Sequence, residues 1–511
     1  RLLALRLKTR KADDGDAPTP AAQDGGEYPL SFTQQRLWFI DRLEPGSPAY
    51  NMPFPLRLRG ALHVPSLERA FGEVVRRHQS LRTRFPAVEG EPVQRIEPAG
   101  DFHLPVDELT TLTTNAERED ESARRVAGWL ATPFDLAHGP LFRARLVRIA
   151  EDDHVLLGAM HHIVSDGWSM GVFWSELVTL YHAFREGRPS PLPELPIQYA
   201  DFAVWQREWV AGERLERQVA WWREHLAGAP ALLELPTDRP RPALQSYRGA
   251  AHRFGVPAEV AQPVRALARR HGVTPFMAFL AAFDVLMARW SGQDDVVVGT
   301  PVAGRTRRET EGLIGLFINT LPIRTGLSGD PAFAELLGRV REAALGAFAH
   351  QEVPFERLVE ELQPERSLSH APIYQVMLVL QNTPDGPAEG FGEGLRLEEA
   401  PGADGGSAKV DLQLSLVDVD DGSLAGMVEY AADLFAPATV ERLGRQFQAL
   451  LAAAASEPDA PVSSLGMMDD AERAAVLSMG AGAEARYEDD TLPALFARQA
   501  ARTPTAVALA F

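Results

Sequence analysis

The sequence predicts a mixed α/β protein built as two lobes. Three observations lead there: the length, the alternation of helical and strand-like periods, and the similar content of the two halves. At 511 residues the chain exceeds what one hydrophobic core usually supports. Strand-like apolar runs alternate with helical patterns both before and after a proline-rich stretch at 186–196.

Taken in order, residues 1–27 read as a flexible linker or docking remnant, because 11–27 are polar and rich in Pro, Gly, Ala and Asp. The ordered body is expected from Tyr28. Ser66 caps a predicted helix with Leu67, Ala70, Phe71, Val74 and Val75 on one face. The segment LRTRFPAVEGEPVQRI suits a hairpin turning at Glu89-Gly90-Glu91. HVLLGAMHHI is a strand, and Ser169 opens a helix carrying Phe173, Leu177, Leu180, Tyr181 and Phe184. The prolines at 186–196 mark a crossing between lobes, giving an N-lobe at 28–190 and a C-lobe at 191–460.

In the second half, Thr274-Pro275 caps FMAFLAAFDVLMARW, which is apolar nearly all round and so buried. VVVG is a strand, PAFAELLGRVREAALGAFAH a helix, and PIYQVMLVLQN, DLQLSLVDV and SLAGMVEY are strands; a helix over 437–454 closes the body. Residues 461–490 read as a linker.

Composition removes several functions. With no cysteine the chain has no disulfide, no thiolate metal site and no cysteine nucleophile. A formal charge of −19 argues against nucleic acid as a partner. No run of about 20 apolar residues predicts a membrane span. The opening RLLALRLKTRKADD lacks a secretory h-region, so a cytoplasmic location is expected. No initiator Met is present, and both ends read as cuts in a longer protein.

The sharpest chemical feature is His161-His162-Ile163-Val164-Ser165-Asp166-Gly167, between a strand and a helix. Adjacent strand side chains point to opposite faces, so one histidine can look into a cleft while the other packs inward. A neutral imidazole suits an attacking amine, Asp166 can hold the loop through an ion pair, and Gly167 permits close approach at a helix N-terminus. Taken blind, paired histidines are more often packing or surface residues. A metal on both plus Asp166 is the other alternative, disfavoured because the side chains diverge and no cysteine assists.

HHIVSDGWS resembles the HHxxxDG signature of the condensation domains of nonribosomal peptide synthetases, within the chloramphenicol-acetyltransferase-like superfamily. Further segments match in order: SFTQQRLWFIDRLEPGSPAYNMP from Ser31, RRHQSLRTRF from Arg76, YADFAVWQ from Tyr199, GLIGLFINTLPIRT from Gly312, HQEVPFERLVEEL from His350 and ERSLSHAPIYQVMLVLQN from Glu365. The tail 491–511, TLPALFARQAARTPTAVALAF, resembles the opening of an adenylation domain. Glu352-Val353 departs from the Asp-Tyr or Asp-Leu frequent in relatives. The Ile-Val-Ser interior of the signature and GDPAF after GLSG look like the subtype that takes an L-configured donor.

The resemblance implies two chloramphenicol-acetyltransferase-like lobes forming a V, with a tunnel and active site between them. It implies amide-bond formation by attack of a carrier-bound aminoacyl amine on an upstream acyl or peptidyl thioester. The domain itself would bind no cofactor; both substrates ride on phosphopantetheine arms of separate carrier domains, and an adenylation domain follows in the chain. His162, Asp166 and Gly167 are the expected catalytic residues, supported by His161, Ser165, Trp168 and Arg82, with Arg82 as the partner of Asp166. Gly304 and Asn319 are the candidates for the tunnel floor. Rival readings are an acyl-CoA-dependent acyltransferase and a non-catalytic domain that recruits carriers or tailoring enzymes.

Overall fold

The computed structural model describes residues 17–364, 367–381, 391, 394–400, 406–480, 490–507 and 509. It divides into a large unit ending at Met467 and a short unit, 468–511.

The large unit holds two main sheets and two main cores. In the first half, strand Asp153–His161 is the centre of a six-stranded sheet, flanked by Leu56–Arg59 on one side and Phe142–Ala150 on the other, with Val106–Glu108 at an edge and Asn51–Pro53 pairing beside Leu56–Arg59. Helices Val64–Arg77 and Gly167–Arg185 pack together on it, and Phe71, Val74, Phe173, Leu177, Leu180 and Tyr181 are wholly buried there. These are the faces that the helical period marked out. In the second half a sheet in the order 249–256, 424–431, 412–418, 376–381, 295–302, 319–326 packs with helix Pro275–Ser291 and with helices 258–270, 333–349 and 437–456. From Met277 to Met287 every residue of that central helix is buried, as its all-round apolarity predicts.

Two helix starts differ from the sequence reading. Ser66 lies inside its helix, which begins at Val64; the cap is His63, whose Nδ1 accepts the Ser66 N–H, with Pro65 in the first turn. Ser169 likewise sits in the first turn of a helix that begins at Gly167, and the cap is Asp166. In both places another acceptor, three residues upstream, takes the position assigned to the serine. Thr274 caps its helix as expected, accepting the Met277 N–H.

The described part of the predicted linker is tied down well before Tyr28. The N–H groups of Ala21 and Ala22 both donate to Asp201 at 2.7 Å, and Gly25 N–H donates to Ile96 O. Residues 1–16 lie outside the described residues. Helix Tyr199–Trp209 still belongs to the first core, through Tyr199, Phe202 and Ala203, and the second core takes over at Val219. The passage between cores therefore falls downstream of the prolines at 186–196.

The two halves also exchange chain. Leu313, Ile314, Leu316 and Phe317, from the second half, are buried in the first core. Strand Arg396–Glu399 adds to the first sheet beside Leu56–Arg59.

The short unit carries helices Asp470–Gly480 and Leu492–Arg502, the second capped by Thr491. The tail likened to the opening of an adenylation domain is only partly covered: Ala508, Ala510 and Phe511 lie outside the described residues. No single helix among the described residues is long and apolar enough to cross a membrane.

Candidate functional site

The site forms where strand Asp153–His161 ends. Strand pairing delivers His161 opposite Asn51, and its N–H donates to Leu141 O at 2.9 Å. The chain then tightens into a single 3-10 turn, His162–Val164, before Asp166 caps the next helix. This abrupt change from extended to turned backbone separates the two imidazoles. His161 is buried: its Nδ1 accepts the Ile163 N–H at 3.1 Å and its ring packs on the edge of Phe134. His162 is half-buried, at the open side of the turn.

His162 N–H donates to Tyr50 O at 2.8 Å. Its Nδ1 lies 2.9 Å from Ser165 O, an atom that can only accept, so Nδ1 carries the proton and Nε2 the lone pair. Among the described residues Nε2 has no hydrogen-bond partner. Burial, then the Lys409 charge, pushes the His162 imidazolium down to about 3. His161 is also pushed to about 3, by burial and then by His162. Both rings are therefore neutral near pH 7. Ser165 itself is wholly buried and contributes through its carbonyl.

Asp166 is a structural hub. Its Oδ1 caps the helix by accepting the Ser169 N–H at 2.8 Å and meets Arg305 Nη2 at 3.3 Å; Oδ2 accepts N–H bonds from Phe317 (2.9 Å) and Ile318 (3.2 Å). Ser169 Oγ lies 2.7 Å from Oδ1 and accepts from Arg305 and from Gly315 N–H. The Asp166–Arg305 pair is sealed, each side chain 2% exposed.

Arg82 is not the partner of Asp166. It pairs with Asp24 at 2.5 Å, donates to Glu97 O, and borders a groove of about 600 Å³ whose lining does not include His162. The cause is simple: the 3-10 turn Gln79–Arg82 leads into a small separate sheet, and its arginine points at the N-terminal segment.

Gly167 is exposed, and a Cβ there would meet nothing within 4 Å. As the first residue of the helix its N–H has no intrahelical acceptor. Trp168 ties the halves together, its Nε1 donating to Glu311 O at 3.0 Å.

Gly304 and Asn319 line one pocket with Trp205 and Trp209, and that lining also lacks His162. Gly304 has φ +63°, and a Cβ would lie 1.9 Å from Phe317 O. Asn319 staples loops, donating to Gln351 O and Val353 O and accepting from Phe355 N–H. The geometry gives each a structural task.

Sequence reading missed several groups around His162. Arg305 is one. Lys409 is another: its ammonium lies 5.1 Å above the Tyr50 ring, and the protein crowded around it pushes it down to about 8. Beyond it stand Arg36, paired with Glu356 at 3.3 Å, and Glu429, bound by Gln413 at 2.5 Å. None of these carries a local pattern in the sequence. Only the resemblance covered the segments from which Arg36, Tyr50 and Glu356 come. No cluster of three or more His, Asp or Glu among the described residues is arranged to hold a metal ion.

The chain is 49% identical over 476 residues to one of the linear gramicidin synthase proteins of Brevibacillus parabrevis; the match covers 93% of this chain and 6% of that protein. Solved structures of the X-domain from teicoplanin biosynthesis, one of them in complex with OxyB, superpose with a TM-score of 0.78 at 32% identity, over 88% of this chain and 98–99% of theirs. A four-domain nonribosomal peptide synthetase solved with AMP and glycine has the same fold, at TM-score 0.80 and 24% identity, over 93% of this chain and 36% of that one. The condensation domain profile matches residues 24–477, and the chain belongs to the condensation-domain family of the nonribosomal peptide synthetases, whose members form amide bonds.

Proposed function

We propose that His162 positions the acceptor amine in this domain. The observation that carries the proposal is the free Nε2 lone pair, fixed by the Nδ1–H bond to Ser165 O at an open face beside Gly167. The substrates are two thioesters on phosphopantetheine arms of an upstream and a downstream carrier domain. The amine nitrogen attacks the donor carbonyl carbon, the C–S bond breaks, and the thiol leaves as the amide forms.

An imidazole whose conjugate acid sits at about 3 is a weak base. His162 therefore serves mainly as a hydrogen-bond acceptor that orients the amine lone pair. Attack on a thioester is downhill, so alignment can supply much of the rate, up to effective molarities of ~10⁵–10⁸ M. Asp166 and Arg305 hold the turn, and the N–H at Gly167 faces the place where oxyanion charge would develop.

The broader setting belongs to the same proposal. The lobes are of chloramphenicol-acetyltransferase type, and the donor is L-configured. Residues 461–490 link to the start of an adenylation domain at 491–511, and the protein acts in the cytoplasm. The likeness to an X-domain solved with OxyB favours a second reading, recruitment of a tailoring enzyme. The intact His162 geometry favours catalysis.

The test is His162→Ala with preloaded donor and acceptor carriers, followed by the intact mass of the acceptor carrier. We expect an unchanged melting temperature and condensation slowed about 10²-fold, the cost of a misaligned amine. Condensation at the wild-type rate would reject the role given to His162.

A further inference from the structure

We propose that Lys409 is a further catalytic residue, its ammonium holding the carbonyl oxygen of the donor thioester as negative charge gathers there. The inference rests on the reading of His162 as the residue that meets the amine.

Four features support it. Lys409 comes from the second half of the chain, yet its ammonium lies over the ring of Tyr50, the residue whose carbonyl holds the His162 N–H. Solvent reaches the side chain although protein crowds around it. Its backbone is anchored, Ala408 N–H donating to Tyr247 O and Lys409 O accepting from Gln245 Nε2 at 3.1 Å. Among the described residues no acceptor hydrogen-bonds the ammonium and no carboxylate pairs with it within 4.0 Å, which leaves three donors for a ligand.

The surroundings suit an anion that forms only in passing. The Tyr50 ring lies 5.1 Å from the ammonium, whose charge acts on His161 and His162; Arg36, paired with Glu356, and Glu429 act on the ammonium in turn. Glu429 is engaged by Gln413. As the amine nitrogen bonds to the carbonyl carbon, the C=O π pair moves to oxygen, where Lys409 donates a hydrogen bond. The pair returns to rebuild C=O as the C–S bond breaks. Sulfur leaves with its electrons, and the proton lost by the amine nitrogen completes the thiol. Nothing else is consumed.

With its ammonium pushed down to about 8, Lys409 is charged below that pH and loses its charge above it. The test compares Lys409→Met, Lys409→Arg and His162→Ala in single turnovers of the folded domain with preloaded carriers, from pH 6.5 to 9.5. We expect Lys409→Met to lose about 10²-fold in rate at saturating carrier. Lys409→Arg should stay within tenfold of wild type and lack the fall in rate that wild type shows above about pH 8. Wild-type rates for Lys409→Met beside an inactive His162→Ala would overturn this inference alone. Wild-type rates for both would overturn the site itself. Equal loss in the Met and Arg variants, with lowered melting temperatures, would make Lys409 structural and reject the proposal.

Discussion

At the scale of single residues, two nearby polar groups in the signature do opposite work. His162 has one nitrogen committed and one free. Asp166 has both oxygens committed, to a helix N-terminus, a buried guanidinium and two backbone N–H groups of a distant loop. Removing it leaves the Arg305 charge buried without its counter-ion, a loss of ~3–5 kcal/mol. Asp166→Ala should therefore melt well below wild type, and its loss of condensation should track the loss of folded protein. A variant that melts normally yet fails to condense would move Asp166 from scaffold to chemistry. The spacing of His161, His162, Asp166 and Gly167 was legible because it lies within seven consecutive residues. The partner of Asp166 was not. Arg82 and Arg305 are both arginines far from the aspartate in sequence, and only the packed loop 304–318 places Arg305 beneath it. The same holds for Lys409, which reaches the site by tertiary placement alone.

At the scale of elements, the loop between strands 295–302 and 319–326 supplies both Arg305 and the N–H groups that hold Asp166. Its path depends on Gly304, which combines a positive φ with a close approach to Phe317 O. Gly304→Ala should cost ~1–3 kcal/mol through strain and clash, and should displace the very peptide that feeds Asp166. Gly167→Ala is the opposite case, with open space at its Cβ. That variant should keep or slightly raise the melting temperature, since Ala suits a helix better than Gly, while slowing condensation where substrate must pass. Thermal melts beside single-turnover rates decide both; a stable Gly304→Ala would show that the loop does not need this turn. Element types were largely readable, because the helical faces at 64–77 and 167–185 and the fully apolar helix 275–291 each bury what their period marks. The misplaced starts at Ser66 and Ser169 share one cause. A cap is chosen by which acceptor reaches the first-turn N–H groups, and His63 and Asp166 win on position.

At the scale of the whole large unit, the halves are not independent. Leu313, Ile314, Leu316 and Phe317 fill the first core, and Arg396–Glu399 completes its sheet. The tie is polar as well: Ser80 Oγ donates to Ile314 O at 2.7 Å, Tyr199 OH to Leu316 O at 2.6 Å, and Ile314 N–H to His78 Nδ1 at 3.2 Å. Gly315 lets this segment pass, since a Cβ would sit 2.0 Å from the Tyr199 ring. None of this is visible to a reading that follows local periods, because the segment GLIGLFINT looks like an ordinary turn and strand of the second half. The consequence is measurable. Each buried apolar side chain contributes roughly 1.5–3 kcal/mol, so losing four of them removes an amount comparable to the ~5–15 kcal/mol by which a folded protein exceeds its unfolded chain. A fragment of residues 17–210, which carries the first core up to helix Tyr199–Trp209 but neither the 313–317 segment nor the 396–399 strand, should not fold cooperatively. Its amide spectrum should be poorly dispersed, and its heat denaturation should lack a sharp transition. Adding a peptide spanning 304–320 should restore some dispersion, with shifts at the Tyr199 ring and the Asp166 turn. A fragment that folded alone with native-like dispersion would show that the second half's chain decorates the first core and does not complete it.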